Sequence, residues 1–211
     1  RDRPLAAGRV SRKEALLLAG GLAFAAFLMI LPFGDLVIGL SVVALFLAAS
    51  YPFTKRFFAI PQAYLGVAFG FGIPMSYAAL VDAVPADAWL LLLANVFWAI
   101  AYDTEYAMVD RVDDLKIGIK TSAITFGRFD LAAIAVCYLA TLALLATIGV
   151  RQHMGSGYYG GLGIAGAIAI HHMALIRNRD PQRCFRAFLH NTWFGAAVFV
   201  GIALDFGARG L

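Results

Sequence analysis

The feature that most constrains this chain is a run of seven apolar stretches, each near the length needed to cross a bilayer. They lie at roughly 14–32, 36–51, 61–81, 87–108, 129–150, 157–176 and 185–206, against a requirement of about 20 residues per helical span. Because hydrocarbon offers no partners to backbone polar groups, such stretches must be helices. The expected fold is all-α, a polytopic transmembrane helical bundle read as one domain over 1–211. Composition agrees, with 62% hydrophobic and 14% charged residues, well outside the soluble range. The second span is expected to end at Tyr51-Pro52, since the residue before a proline disfavours helix. In the third, Gly66, Gly70, Gly72 and Pro74 predict a kink near Pro74. Small residues from Gly160 onward favour close helix packing.

The loops sort by sign. All of the 17 basic residues except Arg151 and Arg209 fall in the opening segment, 54–60, 109–128 or 177–186. Asp35, Asp82 and Asp87 mark the alternate loops. This alternation predicts that the basic loops are cytoplasmic, and it accounts for the net charge of +4 through the lipid bilayer and its anionic headgroups, with no nucleic-acid partner. The two cysteines, Cys137 in an apolar stretch and Cys184 in an expected basic loop, have neither disulfide-framework nor metal-ligand spacing. The opening RDRPLAAGRVSRKE has no apolar core and is no signal peptide. It reads as a loop cut in mid-sequence, so the chain is expected to be an N-terminally shortened piece.

The segment AYDTEYAMVDRVDDLKIGIKTS, 101–122, carries the strongest chemical signal. On a helix Asp103, Asp110 and Asp114 fall within about 40° of one another, while Asp113 lies to one side and Glu105 points elsewhere. A stripe of carboxylates stabilises nothing unless a cation joins it, and hard oxygen ligands at this spacing suit Mg²⁺ shared with a phosphate. The competing account is a solvated helix end whose acids pair with Arg111, Lys116 and Lys120. The metal account is preferred because the stripe continues out of an apolar span, where carboxylates are costly and usually functional. The metal candidates are Asp110 and Asp114.

The segment YPFTKR, 51–56, belongs to the same end. Lys55 suits a phosphate as a point charge, and Arg56 suits a two-pronged pair with a carboxylate. Tyr51 would share a face with Lys55 if Pro52 permits helix. The competing account is that both cations only anchor the span. Arg3, with Arg1 and Arg9, lies within reach of a diphosphate. Lys116 and Lys120 complete the substrate-binding candidates. Tyr102, Tyr106, Phe69 and Phe71 are candidates for an apolar tunnel wall, and packing is the alternative for each. His153 falls in an outer loop, His171 and His172 diverge around their helix, and His190 is expected to be a satisfied structural residue.

With RPLAAGRVS (3–11), YPFTKR (51–56), LGVAFGFGIPMSYAA (65–79) and LANVFWAIAYDTEYAMVDRVDDLKIGIKTSAITFG (93–127) aligned, the chain resembles the UbiA superfamily of intramembrane aromatic prenyltransferases. Within it, the wording of the last segment most resembles the branch that prenylates 4-hydroxybenzoate in ubiquinone biosynthesis. The resemblance implies nine helices around a cavity open to lipid, of which seven are here, with two helices and a first Asp-rich motif preceding Arg1. The present chain alone would then be inactive. It also implies that Asp110 and Asp114 hold Mg²⁺ against polyprenyl diphosphate, with Asp103 supporting one turn deeper. Tyr51 and Lys55 would bind and release diphosphate, and Arg56 would hold the carboxylate of 4-hydroxybenzoate. The implied location is a bacterial inner membrane with the site on the cytoplasmic side. Homogentisate, dihydroxynaphthoate and haem are the alternative acceptors within the superfamily. An alcohol phosphotransferase is disfavoured because D-G-x-x-A-R is missing from the sequence. A cation-coupled transporter would need mid-membrane acids and paired broken helices. Prenyl chain length and oligomeric state are not set by the sequence.

Overall fold

The computed structural model describes residues 4, 5 and 7–210, and among them every regular element is helical. In chain order the α-helices are α1 (Arg12–Ile30), α2 (Asp35–Thr54), α3 (Pro61–Gly70), α4 (Gly72–Val81), α5 (Ala86–Ile117), the short α6 (Ser122–Phe126), α7 (Asp130–Arg151), α8 (Ser156–Ile176) and α9 (Pro181–Ala208), with 3-10 turns at Leu31–Phe33 and Gly127–Phe129. With α3 and α4 forming one broken span and α6 leading into α7, seven helical spans are long and apolar enough to cross a membrane. The protein is a multi-pass integral membrane protein, and large apolar side chains are exposed along α1, α2 and α9.

Local chemistry sets the ends of the elements. Ser11 and Glu14 form a reciprocal capping box at the start of α1, which satisfies two otherwise orphaned backbone donors. Pro61 and Pro181 open α3 and α9, where a missing N–H costs nothing. Pro52 departs from expectation: α2 runs through it to Thr54, so the helix reaches one turn farther than the proline predicts. The third span breaks at Phe71, one turn before Pro74. A proline removes the bond to the carbonyl four residues back, here Gly70, and so breaks the ladder upstream of itself.

The long α5 is the centre of the bundle, packed against α3, α7 and α9, while α8 pairs most extensively with α9. Small residues allow the close approaches. A Cβ on Gly66 of α3 would lie 2.8 Å from the Val96 Cα of α5, and one on Gly161 would lie 2.7 Å from the Gly201 Cα. Cys184, expected in a loop, is buried inside α9. At the end of the bundle that carries 54–61, 117–122 and 176–181, buried Asp130 accepts from the Arg179 guanidinium, with Nη2 at 2.6 Å, while Arg111 approaches to 3.5 Å. This bond raises the Arg179 pKa above the ordinary arginine value. At the opposite end Asp87 binds Arg151 at 2.5 Å and also the Gln152 amide.

Candidate active site

The site is built on about the last four turns of α5. Asp103, Asp110 and Asp114 are all half-buried on one face, whereas Asp113 is exposed on the flank and pairs with Lys116 at 3.0 Å. The helix ends immediately beyond, at Gly118 in the left-handed region (φ +70), whose N–H returns to the Asp114 carbonyl. A side chain would be strained there, and glycine is not.

The end of α2 supplies the cation. Lys55 brings its charge within reach of both Asp103 and Asp114, and Tyr51 lies beside Asp103 and Tyr102. The continuation of α2 through Pro52 puts Tyr51 and Lys55 on this face. Arg56, the next residue, is exposed at the same end. Lys120 donates its ammonium to the Phe57 carbonyl at 3.1 Å, so in this conformation it clasps the two loops together. Arg3 lies outside the described residues.

One residue that sequence reasoning passed over holds the arrangement. Gln62, 2% exposed in the first turn of α3, accepts from the Ser122 N–H at 3.0 Å and reaches the Asp103 carboxylate with its amide. Thr104 and Ser122 share a buried hydroxyl bond of 2.7 Å beside it. The only sequence signal was an amide in the first turn of an otherwise apolar span.

No group of three or more histidine, cysteine, aspartate or glutamate side chains gathers into a metal cage among the described residues. Asp110 and Asp114 instead face each other as like charges. An open carboxylate pair with a lysine beside it fits a magnesium ion completed by phosphate oxygens and water, since Mg²⁺ commonly takes only one or two protein carboxylates.

Deeper along α5 lies an aromatic cavity of about 310 Å³ lined by Phe69, Trp98, Tyr102 and Phe188 with Asn95, Asn191 and Thr192. Of the four candidates for a tunnel wall, Phe69 and Tyr102 line it, while Tyr106 packs on Phe185 and Phe188, and Phe71 is buried at the α3–α4 break. Behind the wall, Glu105 is fully buried against Tyr138 and Asn191, turned away from the aspartate stripe. His190 is hydrogen-bonded to His172 at 3.0 Å.

Residues 1–197 match the model of the UbiA prenyltransferase family. The chain is 77% identical over 209 residues to a 4-hydroxybenzoate octaprenyltransferase of Thiobacillus denitrificans, covering 99% of this chain and 71% of that protein. It is 64% identical to the enzyme of the same name from Aromatoleum aromaticum, with the same coverage. Among solved structures, a UbiA homolog from Aeropyrum pernix K1 superposes with a TM-score of 0.84 at 24% identity, covering 97% of this chain and 77% of that one. A digeranylgeranylglyceryl phosphate synthase superposes with a TM-score of 0.74 at 16% identity, covering 97% and 73%.

Proposed function

Because the chain belongs to the UbiA prenyltransferase family, we propose that it serves ubiquinone biosynthesis by transferring a polyprenyl group from polyprenyl diphosphate to the ring carbon ortho to the hydroxyl of 4-hydroxybenzoate. The activity is assigned to the complete reading frame, with residues 1–211 forming part of a single transmembrane domain. The observation that carries this reading is the convergence of Lys55, Tyr51, Asp103, Asp110 and Asp114 beside Tyr102, a residue that also lines the aromatic cavity. That convergence lies at the end of the bundle where the basic loops gather, which fits a cytoplasmic site on a bacterial inner membrane.

Asp110 and Asp114 would hold Mg²⁺, which when bound supplies positive charge to the diphosphate. Lys55 would add a second positive charge to the oxygen that departs, and Lys116, with Lys120 once released from the Phe57 carbonyl, would serve the outer phosphate. As the C1–O bond of the allylic diphosphate breaks, charge accumulates on the leaving oxygens, so preplaced cations lower the barrier most at the transition state. The diphosphate leaves with the bonding pair. The allylic carbon is then attacked by the ring carbon, a C–C bond forms, and the ring proton is lost as aromaticity returns. Aromatic walls exclude water from that carbon and present their faces to its charge. Arg56 would hold the acceptor's carboxylate.

The test is Mg²⁺-dependent transfer from a short polyprenyl diphosphate onto labelled 4-hydroxybenzoate, using membranes containing the full-length wild type or its Asp110→Asn variant. Product is expected from the wild type, with loss of roughly 10²–10³-fold in the variant and with chelator. Product on a different aromatic but not on 4-hydroxybenzoate would move the acceptor assignment. No transfer to any aromatic would remove the reading.

A further inference from the structure

The wall behind the aromatic cavity is held by polar groups that the diphosphate site does not use. The Tyr138 hydroxyl lies 2.9 Å from each of three atoms: Glu105 Oε1, His172 Nδ1 and Asn191 Oδ1. The Asn191 amide is oriented by its donors, which go to Glu105 Oε2 at 2.8 Å and to the Ala187 carbonyl at 3.0 Å. Its oxygen can therefore only accept, from Tyr138 and from the indole N–H of Trp98 at 3.0 Å. A phenol has one proton to give. If it goes to Asn191, the other two neighbours must bring their own, Glu105 as the neutral acid and His172 as its Nδ1–H tautomer. His172 Nε2 is then free to accept from His190 Nδ1. The set closes with no net charge, as a membrane interior favours.

What this set positions is Trp98. Its ring stacks on Phe194 (5.4 Å, 26°), meets Tyr102 edge-on (5.5 Å, 76°) and lies over Gly195, where a Cβ would come within 2.8 Å. The indole lines two spaces at once: the aromatic cavity and a second, apolar one of about 210 Å³ bounded by Leu91, Leu145, Phe194 and Val198. Asn95 also borders both, but it is pinned to the Gly66 carbonyl at 2.8 Å. Trp98 is thus the large side chain shared by the two spaces. It sits five residues below Asp103, a depth of about 7.5 Å. On the near side of the partition the cavity is bounded by Phe69.

We propose that Trp98, tethered by Asn191, is a specificity-determining wall that ends the aromatic cavity and limits how far a prenyl tail can extend straight along it. The inference deepens the prenyl-transfer reading and rests on it. A tail short enough to end before the indole is indifferent to the wall, whereas a longer one meets it.

The experiment compares kcat/KM for geranyl and farnesyl diphosphates in the full-length protein, with 4-hydroxybenzoate as acceptor. Trp98→Ala is expected to raise the farnesyl-to-geranyl ratio about tenfold or more, the scale on which apolar pockets discriminate. Asn191→Leu should move the ratio the same way by less. Glu105→Gln should leave it at the wild-type value, because a glutamine amide donates to Tyr138 and accepts from Asn191 as a neutral acid does. A wild-type ratio in an active Trp98→Ala protein overturns the wall. If that variant does not run as a monodisperse species in detergent, Trp98→Leu is held to the same criterion. A Glu105→Gln ratio that follows Trp98→Ala overturns the neutral tether. A wild type that transfers neither prenyl group removes the underlying reading, and the wall falls with it, an outcome distinct from both.

Discussion

The backbone N–H of Lys120 donates to the carbonyl of Lys55 across 2.9 Å, joining the loop after α5 to the end of α2. Together with the Ser122–Gln62 bond at 3.0 Å, it sets the lysine-bearing segment against the aspartate-bearing helix. The Lys120–Lys55 bond uses main-chain groups alone, whereas the second depends on the Gln62 side chain.

Gln62 is expected to act through Asp103. In Gln62→Leu the Ser122 N–H loses its partner and the carboxylate its orienting amide. An oriented hydrogen bond to a charged or buried group is worth about 1–3 kcal/mol, so kcat/KM for prenyl transfer should fall roughly tenfold to a hundredfold. Steady-state kinetics beside a thermal melt would decide. A lowered melting temperature with an unchanged rate would reduce Gln62 to a packing residue.

Asp130 is expected to matter for stability and not for chemistry. It is fully buried and clasped by Arg179 and Arg111, which are themselves partly exposed. Breaking a buried pair from one side is costly, but solvent around the arginines softens the loss, so Asp130→Asn should destabilise by about 2 kcal/mol. Thermal unfolding in detergent, followed by tryptophan fluorescence, checks this. An unaltered transition would show the clasp to be incidental.

The α8–α9 contact makes opposite forecasts for two neighbouring glycines. A Cβ on Gly161 meets the Ala197 carbonyl oxygen at 2.6 Å, whereas one on Gly163 meets nothing within 4 Å. Gly161→Val should push the helices apart and lower the melting temperature by several degrees, in keeping with overpacking costs of about 1–3 kcal/mol. Gly163→Ala should be neutral or raise stability by up to about 1 kcal/mol through helix propensity. Equal behaviour of the two variants would contradict the packing account.

How far these features could be read from the residues depended on how local their causes are. The seven spans and the Asp103–Asp110–Asp114 stripe follow from apolar length and from spacings within one helix, and both stand in the structure. Pro52 misled because a proline rule describes a propensity, and α2 continues through it. Pro74 predicted a break, which lies a turn upstream at Phe71 because the lost hydrogen bond belongs to Gly70. Gln62 went unnoticed because its partners, Asp103 and Ser122, are 41 and 60 residues away. Glu105 read correctly as facing away from the stripe, yet Tyr138, His172 and Asn191 are contacts that no periodicity reveals.

A single uninterrupted α5 carries Asp110 near one end of the site and Trp98 at the other, twelve residues and about 18 Å apart along the axis. Head-group chemistry and tail accommodation are therefore indexed on one screw. Adding or deleting one residue between them would rotate one set of side chains against the other by about 100°, so that the carboxylates and the indole lose their present relation. Point substitution can retune the segment between them one contact at a time, but changes in its length cannot, so α5 between Trp98 and Asp114 should tolerate substitution away from Asp103 and Asp110 and stay constant in count.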